Sequence, residues 1–230
     1  MTEWWSNEWV VVALSLGLYV LALWLQKRTG ILLLNPTLVT MVLLMAVLQI
    51  GILDYPQLEA GQRSMYFLLK PTVVALGYPL YTFWETIRKQ AVSILVSQLL
   101  GTVVGIVSVV WLARAMGAPP EIWISLAPKS ATSPIAFEVA ASTGGLPSFT
   151  AALVLTVGIF GALFGYGILK VLGIRNPQSK SLAIGAAAHG IGTARSMQIS
   201  SRYGALSTLG MILTGIFTAF LTPLILRLLS

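Results

Sequence analysis

Eight long apolar stretches separated by short gaps leave this chain little choice of solvent: it has to fold in a lipid bilayer. A spanning helix needs about 20 apolar residues, and the stretches are close to that length. They run from Trp9 to Leu25, Ile31 to Leu53, Met65 to Trp84, Ala91 to Ala113, Ile122 to Ser142, Phe149 to Leu172, Leu182 to Ser200 and Leu206 to Leu229. Only 9% of the 230 residues are charged, where a soluble domain carries about 25%. The expected fold is an all-α integral membrane protein, a single polytopic domain over residues 1–230, with no linker long enough for a second one.

The formal net charge is +7. The basic residues sit mainly in the gaps, so they read as topology signals and not as a nucleic-acid surface. Lys27 and Arg28 in the first gap and Arg88 and Lys89 in the third place those gaps in the cytoplasm and the N-terminus outside. Arg175 and Lys180 join them there only if the fifth or seventh segment re-enters instead of crossing. The first segment reads as a retained anchor, because its positive pair follows the apolar run where a signal peptide has it before. Cysteine is absent, which excludes disulfides, thiolate metal sites and a cysteine nucleophile. A lone histidine cannot form the metalloprotease pair, and no nucleophile elbow or phosphate loop occurs. The chain therefore reads as a non-enzyme without cofactor or metal. Two small-xxx-small spacings, Gly101/Gly105 and Gly161/Gly165, predict close helix packing.

Segments three, five and seven carry prolines or glycines at membrane depth. Such breaks are tolerated where protein or a water-filled cavity satisfies the backbone, and transporters build midplane sites from them. In segment five, Pro128 and Pro134 flank Lys129, Ser130, Thr132 and Ser133. A helix restarting at Pro134 with Ser133 as its cap would aim free N–H groups, hydroxyls and a cation at one anion. The alternative is a kink with Lys129 snorkelling to the interface. Glu138 is the one carboxylate deep in an apolar segment, with two readings: an ion pair with Lys129 or Arg195, or a site for a coupling proton or sodium ion.

Segment seven places His189 beside Gly190 and Gly192, which permit unusual backbone and close ligand approach, and six residues before Arg195. Arginine grips carboxylates in bidentate fashion, Thr193 adds a hydroxyl, and an unperturbed histidine exchanges protons near neutral pH. Segment three repeats the theme with Lys70-Pro71 and Pro79, which suggests an internal repeat. Asn35-Pro36 reads either as a cavity residue or as a helix start.

The stretches LLNPTLV (Leu33 to Val39), LLKPTVVALGYPLY (Leu68 to Tyr81), APKSATSPIA (Ala127 to Ala136), GGLPSFTAALV (Gly144 to Val154) and AAAHGIGTAR (Ala186 to Arg195) resemble the LrgB/CidB family of antiholin-like and holin-like membrane proteins. The resemblance implies a bacterial inner-membrane location and a separate small partner of the LrgA/CidA type. It also implies transport of short carboxylates, since a fused plastid relative is a glycolate/glycerate translocator and bacterial relatives are linked to pyruvate. The expectation is a secondary transporter of monocarboxylates such as pyruvate, lactate or glycolate, coupled to a proton or cation. Its site would be Lys129, Ser130, Thr132, Ser133, His189, Gly190, Thr193, Arg195 and Asn35, with Glu138 or His189 as the coupling group, and its oligomer a homodimer by analogy. The alternative is a holin/antiholin-like pore or a regulator of murein hydrolase activity and autolysis.

Overall fold

The computed structural model describes residues 8–31, 34–59, 61, 75 and 77–229. Most of segment three, including Lys70 and Pro71, lies outside the described residues. The described residues are helices and turns without a strand, so the protein is an all-α membrane protein. Its contacts divide into two compact units, residues 1–78 and 79–230.

In the first unit, helix α1 (Glu8–Thr29) packs against α2 (Pro36–Gln49). Apolar residues cover α1 nearly all round, and only 22% of its most apolar stretch is buried by protein, as expected of a helix that lipid surrounds. Its last turn carries Lys27 and Arg28, which suit the negative end of the helix dipole. Gly30, at φ 67°, ends it in the left-handed conformation that glycine adopts without penalty. Asn35 starts α2: its Oδ1 accepts from the N–H groups of Thr37 (3.0 Å) and Leu38 (3.4 Å), with Pro36 in the first turn. Asn35 is thus engaged as a helix cap.

The short helix α3 (Gly77–Thr82) includes the boundary between the units, and in the second unit α4 (Trp84–Lys89) leads into α5 (Ala91–Ala115), α6 (Pro120–Leu126), α7 (Ser133–Thr143), α8 (Pro147–Val171), α9 (Pro177–Ile199) and α10 (Ser201–Leu229). Among the described residues, α1, α5, α8 and α10 are long and apolar enough to cross a membrane. α5 and α10 run parallel. Ile94 clusters with Leu206 near their starts, and Ile106, Val110 and Ala113 cluster with Ile225 and Leu226 near their ends.

Segment five does not cross. The hydroxyl of Ser125 at the end of α6 accepts from the N–H of Leu146 (2.7 Å), and its carbonyl accepts from Thr150 Oγ1 (3.0 Å). The chain therefore leaves through residues 127–132, returns along α7 and rejoins α6 at the start of α8. Pro128 and Pro134 explain the break, since neither supplies a helical N–H.

Segment seven also folds back. His189, at φ 38° and ψ −129°, interrupts α9. A Cβ on Gly192 would lie 3.0 Å from the carbonyl oxygen of Ile184, eight residues earlier, whereas a straight helix would separate them by about 12 Å. Tyr166 of α8 bonds Ser196 on the returning arm at 2.8 Å. The two hairpins attach to opposite ends of α8, and both folded tips pack at Val154: Ala131 and Ala136 cluster with its side chain, and His189 bonds its carbonyl.

This arrangement sorts the charges. The end where α5 begins, α8 ends, α9 begins and returns and α10 begins carries Arg88, Lys89, Lys170, Arg175, Lys180 and Arg202 against Glu85. The other end carries Arg114, Glu121 and Arg227. The first is the end that the positive-inside rule assigns to the cytoplasm. Re-entry of the α6–α7 hairpin is what brings Arg175 and Lys180 to the side of Arg88 and Lys89, and the fold of α9 at His189 returns Arg202 to that same side.

Candidate functional site

A cavity of about 580 Å³ occupies the second unit between α5, the start of α9, the tip of the α6–α7 hairpin and Thr214 of α10. One face of α5 forms its long wall. Gln90, Ser93, Ser97, Gln98, Gly101, Thr102 and Gly105 recur at three- and four-residue steps, so they share a side of the helix. From Gln90 to Gly105 that wall is about 22 Å long. At the mouth stand Asn176, Gln178 and Ser179, where Asn176 Oδ1 caps α9 by accepting from Gln178 N–H at 2.8 Å. Gln90, Asn176 and Ser179 are exposed, so the cavity opens toward the basic end.

The far end of the cavity is closed by Lys129 and Ser130, on the turns between α6 and α7. Lys129 reaches this depth because successive three-residue turns (Lys129 N–H to Leu126 O at 3.2 Å, Ala131 N–H to Pro128 O at 3.0 Å) extend α6 before Pro134 starts α7. Its ammonium donates to Ser130 Oγ at 3.2 Å. Among the described residues it is the one charged side chain on the cavity wall, and no described Asp or Glu lines it. A cation held in a low-dielectric pocket without a carboxylate favours an anion beside it. Along the wall, Gln98 is buried to 6% exposure, and its Oε1 accepts from Thr214 Oγ1 at 3.0 Å.

The other residues singled out in the sequence fall elsewhere. Thr132 and Ser133 flank the start of α7. The cap is Thr132, one position before the Ser133 expected, and its side chain makes no capping bond. His189 is buried between helices. The carbonyl of Val154 can only accept, so Nε2 carries the proton and donates to it at 2.9 Å. Gly190 has open space around it, and the unusual backbone belongs to His189 itself. Thr193 is paired with Ser207 Oγ at 3.1 Å in the α9–α10 contact. Arg195 bonds Gln198 at 3.0 Å on the returning arm of α9, and Glu138 is exposed on α7. Asn35 belongs to the first unit as a cap. The structure therefore brings Lys129 and Ser130 to the cavity wall and leaves His189, Thr193, Arg195 and Glu138 off it.

Gln98, Thr102, Thr214 and Asn176 are wall residues that motif reading passed over. For Gln98 and Thr102 the signal was present as polar residues at helical spacing inside segment four, which otherwise reads as apolar; Thr214, in segment eight, and Asn176, in the gap before segment seven, carried no such local signal.

Helices that span, paired re-entrant hairpins and a polar cavity between them define a multi-pass protein of the cell membrane. The sequence profile of the LrgB-like family matches residues 15–228, and the chain belongs to that family. It is similar to the Bacillus subtilis protein with the printed name "Uncharacterized protein YxaC", 34% identical over 216 residues and 94% of each chain. It is likewise similar to an "Uncharacterized protein" of Haemophilus influenzae, 34% identical over 90% of each chain. A third relative, "Holin-like protein CidB" of Staphylococcus epidermidis, is 30% identical over 95% of this chain and 96% of its own. No solved structure matches the chain. Neither the family description nor these names denotes an enzyme.

Proposed function

We propose that the chain acts as a holin-like membrane protein, and that its role is to pass small monocarboxylate anions of the pyruvate, lactate and glycolate class. The family and the staphylococcal relatives' printed name support the holin-like role directly. They say nothing of carboxylates. The finer reading rests on one observation: among the described residues, Lys129 is the one charged side chain on the wall of a polar cavity, at its closed end, with no carboxylate beside it. Lys129 would hold the carboxylate, with Ser130, Gln98 and Thr214 as hydrogen-bonding neighbours. The opening at the basic end would draw anions from the cytoplasmic face. The proton or cation that drives the cycle, a small LrgA/CidA-type partner and a homodimer belong to the same proposal.

The experiment is uptake of radiolabelled pyruvate and glycolate by the purified chain in proteoliposomes, with and without a pH gradient. Saturable uptake that unlabelled carboxylates compete away supports the carboxylate reading, and dependence on the gradient supports proton coupling.

The printed holin-like name favours a second reading, a pore or a regulator of murein hydrolases. Release of an uncharged dye that rises linearly with concentration, without carboxylate saturation, would establish the pore and remove the carboxylate reading. Neither uptake nor leakage from the chain alone, restored on adding an LrgA-type partner, would make the partner obligatory.

A further inference from the structure

A second cavity of about 250 Å³ lies toward the opposite end of the second unit, with Ser142, Thr143, Pro223 and Arg227 among its walls. The apolar cluster of Ile106, Val110, Trp123 and Ala127 with Leu226 follows the main cavity along α5, and its Trp123 and Leu226 also form part of the second cavity's wall. α10 connects the two levels. Thr214 lines the main cavity, Thr218 follows one turn on, and Thr222 precedes the Pro223 that lines the second cavity. A four-residue step keeps these three threonines on one stripe of the helix, spanning about 12 Å.

The hydroxyls on this stripe are unusual. Thr218 is 1% exposed and Thr222 is 0% exposed. Neither Oγ1 has a hydrogen-bond partner among the described residues. A threonine in a helix normally donates to the carbonyl four residues back, as Thr102 does to Gln98 at 2.7 Å. A buried hydroxyl without a partner keeps the full desolvation penalty of its polar atom, so two in succession need a reason. Pro223 adds a second local weakness, because it removes the N–H that would bond the Ala219 carbonyl inside α10. The helix is thus loosened where the polar stripe meets the second cavity.

We propose that the Thr214, Thr218 and Thr222 face of α10 is the route by which a solute leaves the main cavity for the opposite end. The route is shut by the cluster of Ile106, Val110, Trp123 and Ala127, and opens when that cluster parts at Pro223. The orphaned hydroxyls then find partners in the passing solute and its water. The proposal rests on the reading that the cavity carries a solute. Thr208 shares the hydroxyl deficit but lies before Thr214 in α10, outside the interval between the cavities, and is not part of the route.

Absence of cysteine makes the test direct. Single variants Thr214→Cys, Thr218→Cys and Thr222→Cys are reconstituted and treated with a membrane-impermeant maleimide on either face, with and without a pyruvate gradient. Thr214→Cys is expected to react from the basic end and Thr222→Cys from the other. Thr218→Cys should react about tenfold faster under the gradient, a shift of some 1.4 kcal/mol toward the open form. Thr218→Val and Thr222→Val should slow saturable uptake about tenfold without lowering thermal stability, since an orphaned hydroxyl is removed. Thr208→Val should leave uptake unchanged.

Inert Thr218→Cys and Thr222→Cys from both faces, or wild-type uptake by both valine variants, overturns the route. Failure of the wild-type chain to take up any carboxylate, both alone and with an LrgA-type partner, overturns the parent reading instead. In that case the labelling pattern alone still decides whether the stripe is a route.

Discussion

At the scale of single residues, the decisive choice is which cation meets the solute. Lys129 lies on the cavity wall and Arg195 does not. Lys129→Met should therefore lower the kcat/KM of carboxylate uptake about 100-fold or more, the loss expected when a buried charge-assisted bond disappears. Lys129→Arg, which keeps the charge with different geometry, should retain part of it. Arg195→Ala should stay within a few-fold of wild type. Equal losses at both positions, with both variants folded in the membrane, would show that Arg195 reaches the solute in another conformation.

His189 plays a different part. It holds a positive φ that non-glycine residues adopt at a cost of about 1–3 kcal/mol, and its ring fills the space over Gly158. A Cβ on Gly158 would sit 2.5 Å from His189 Cε1. Gly158→Ala should therefore lower the Tm of the detergent-solubilised protein, through overpacking worth about 1–3 kcal/mol. The loss should shrink in a His189→Gly background, where the ring is gone, and a double-mutant cycle measures the coupling.

Glycines separate the elements that pack from those that line space. A Cβ on Gly185 would lie 1.9 Å from the Ser207 carbonyl oxygen, and one on Gly210 would lie 2.4 Å from that of Leu182. Both contacts are with backbone, which cannot swing away. Gly101 and Gly105 face open space on the cavity wall instead. Gly185→Ala and Gly210→Ala should misassemble, seen as aggregation in size-exclusion chromatography. Gly101→Ala and Gly105→Ala should elute as wild type while narrowing the cavity.

The same contrast marks what was legible in the sequence. Apolar length located the helices, and Pro128 and Pro134 located the first break. The Gly161/Gly165 pair does pack, against Ala188 and Ile184 of α9. The identical spacing at Gly101/Gly105 meets no helix in this unit, because spacing reports a smooth face and not what covers it. Arg195 looked like a neighbour of His189 at six residues' distance. Folding of α9 at His189 sends it along the returning arm, and no local pattern encodes that turn. Gln98 was readable in principle from its polar neighbours at helical spacing, but its partner Thr214 lies 116 positions away.

At the scale of the whole second unit, two hairpins enter from opposite ends and their tips meet at one helix, which puts the closed end of the cavity away from either surface. Charge then sets the orientation. A cysteine at Ser179 should be labelled only from the cytoplasmic face of intact cells or inverted vesicles, and one at Met116, which is 78% exposed at the far end of α5, only from the outer face. Labelling of both from one face would show that a hairpin crosses.

The central claim is that a lone lysine at the end of a polar cavity binds a small carboxylate on its way through the membrane. Concentration-dependent uptake of radiolabelled pyruvate into proteoliposomes, for the wild type beside Lys129→Met, tests it most directly. The account predicts a saturating curve for the wild type, competed by glycolate, and a flat one for the variant. Linear, uncompeted entry that is the same in both would contradict it and leave a non-selective holin-like pore.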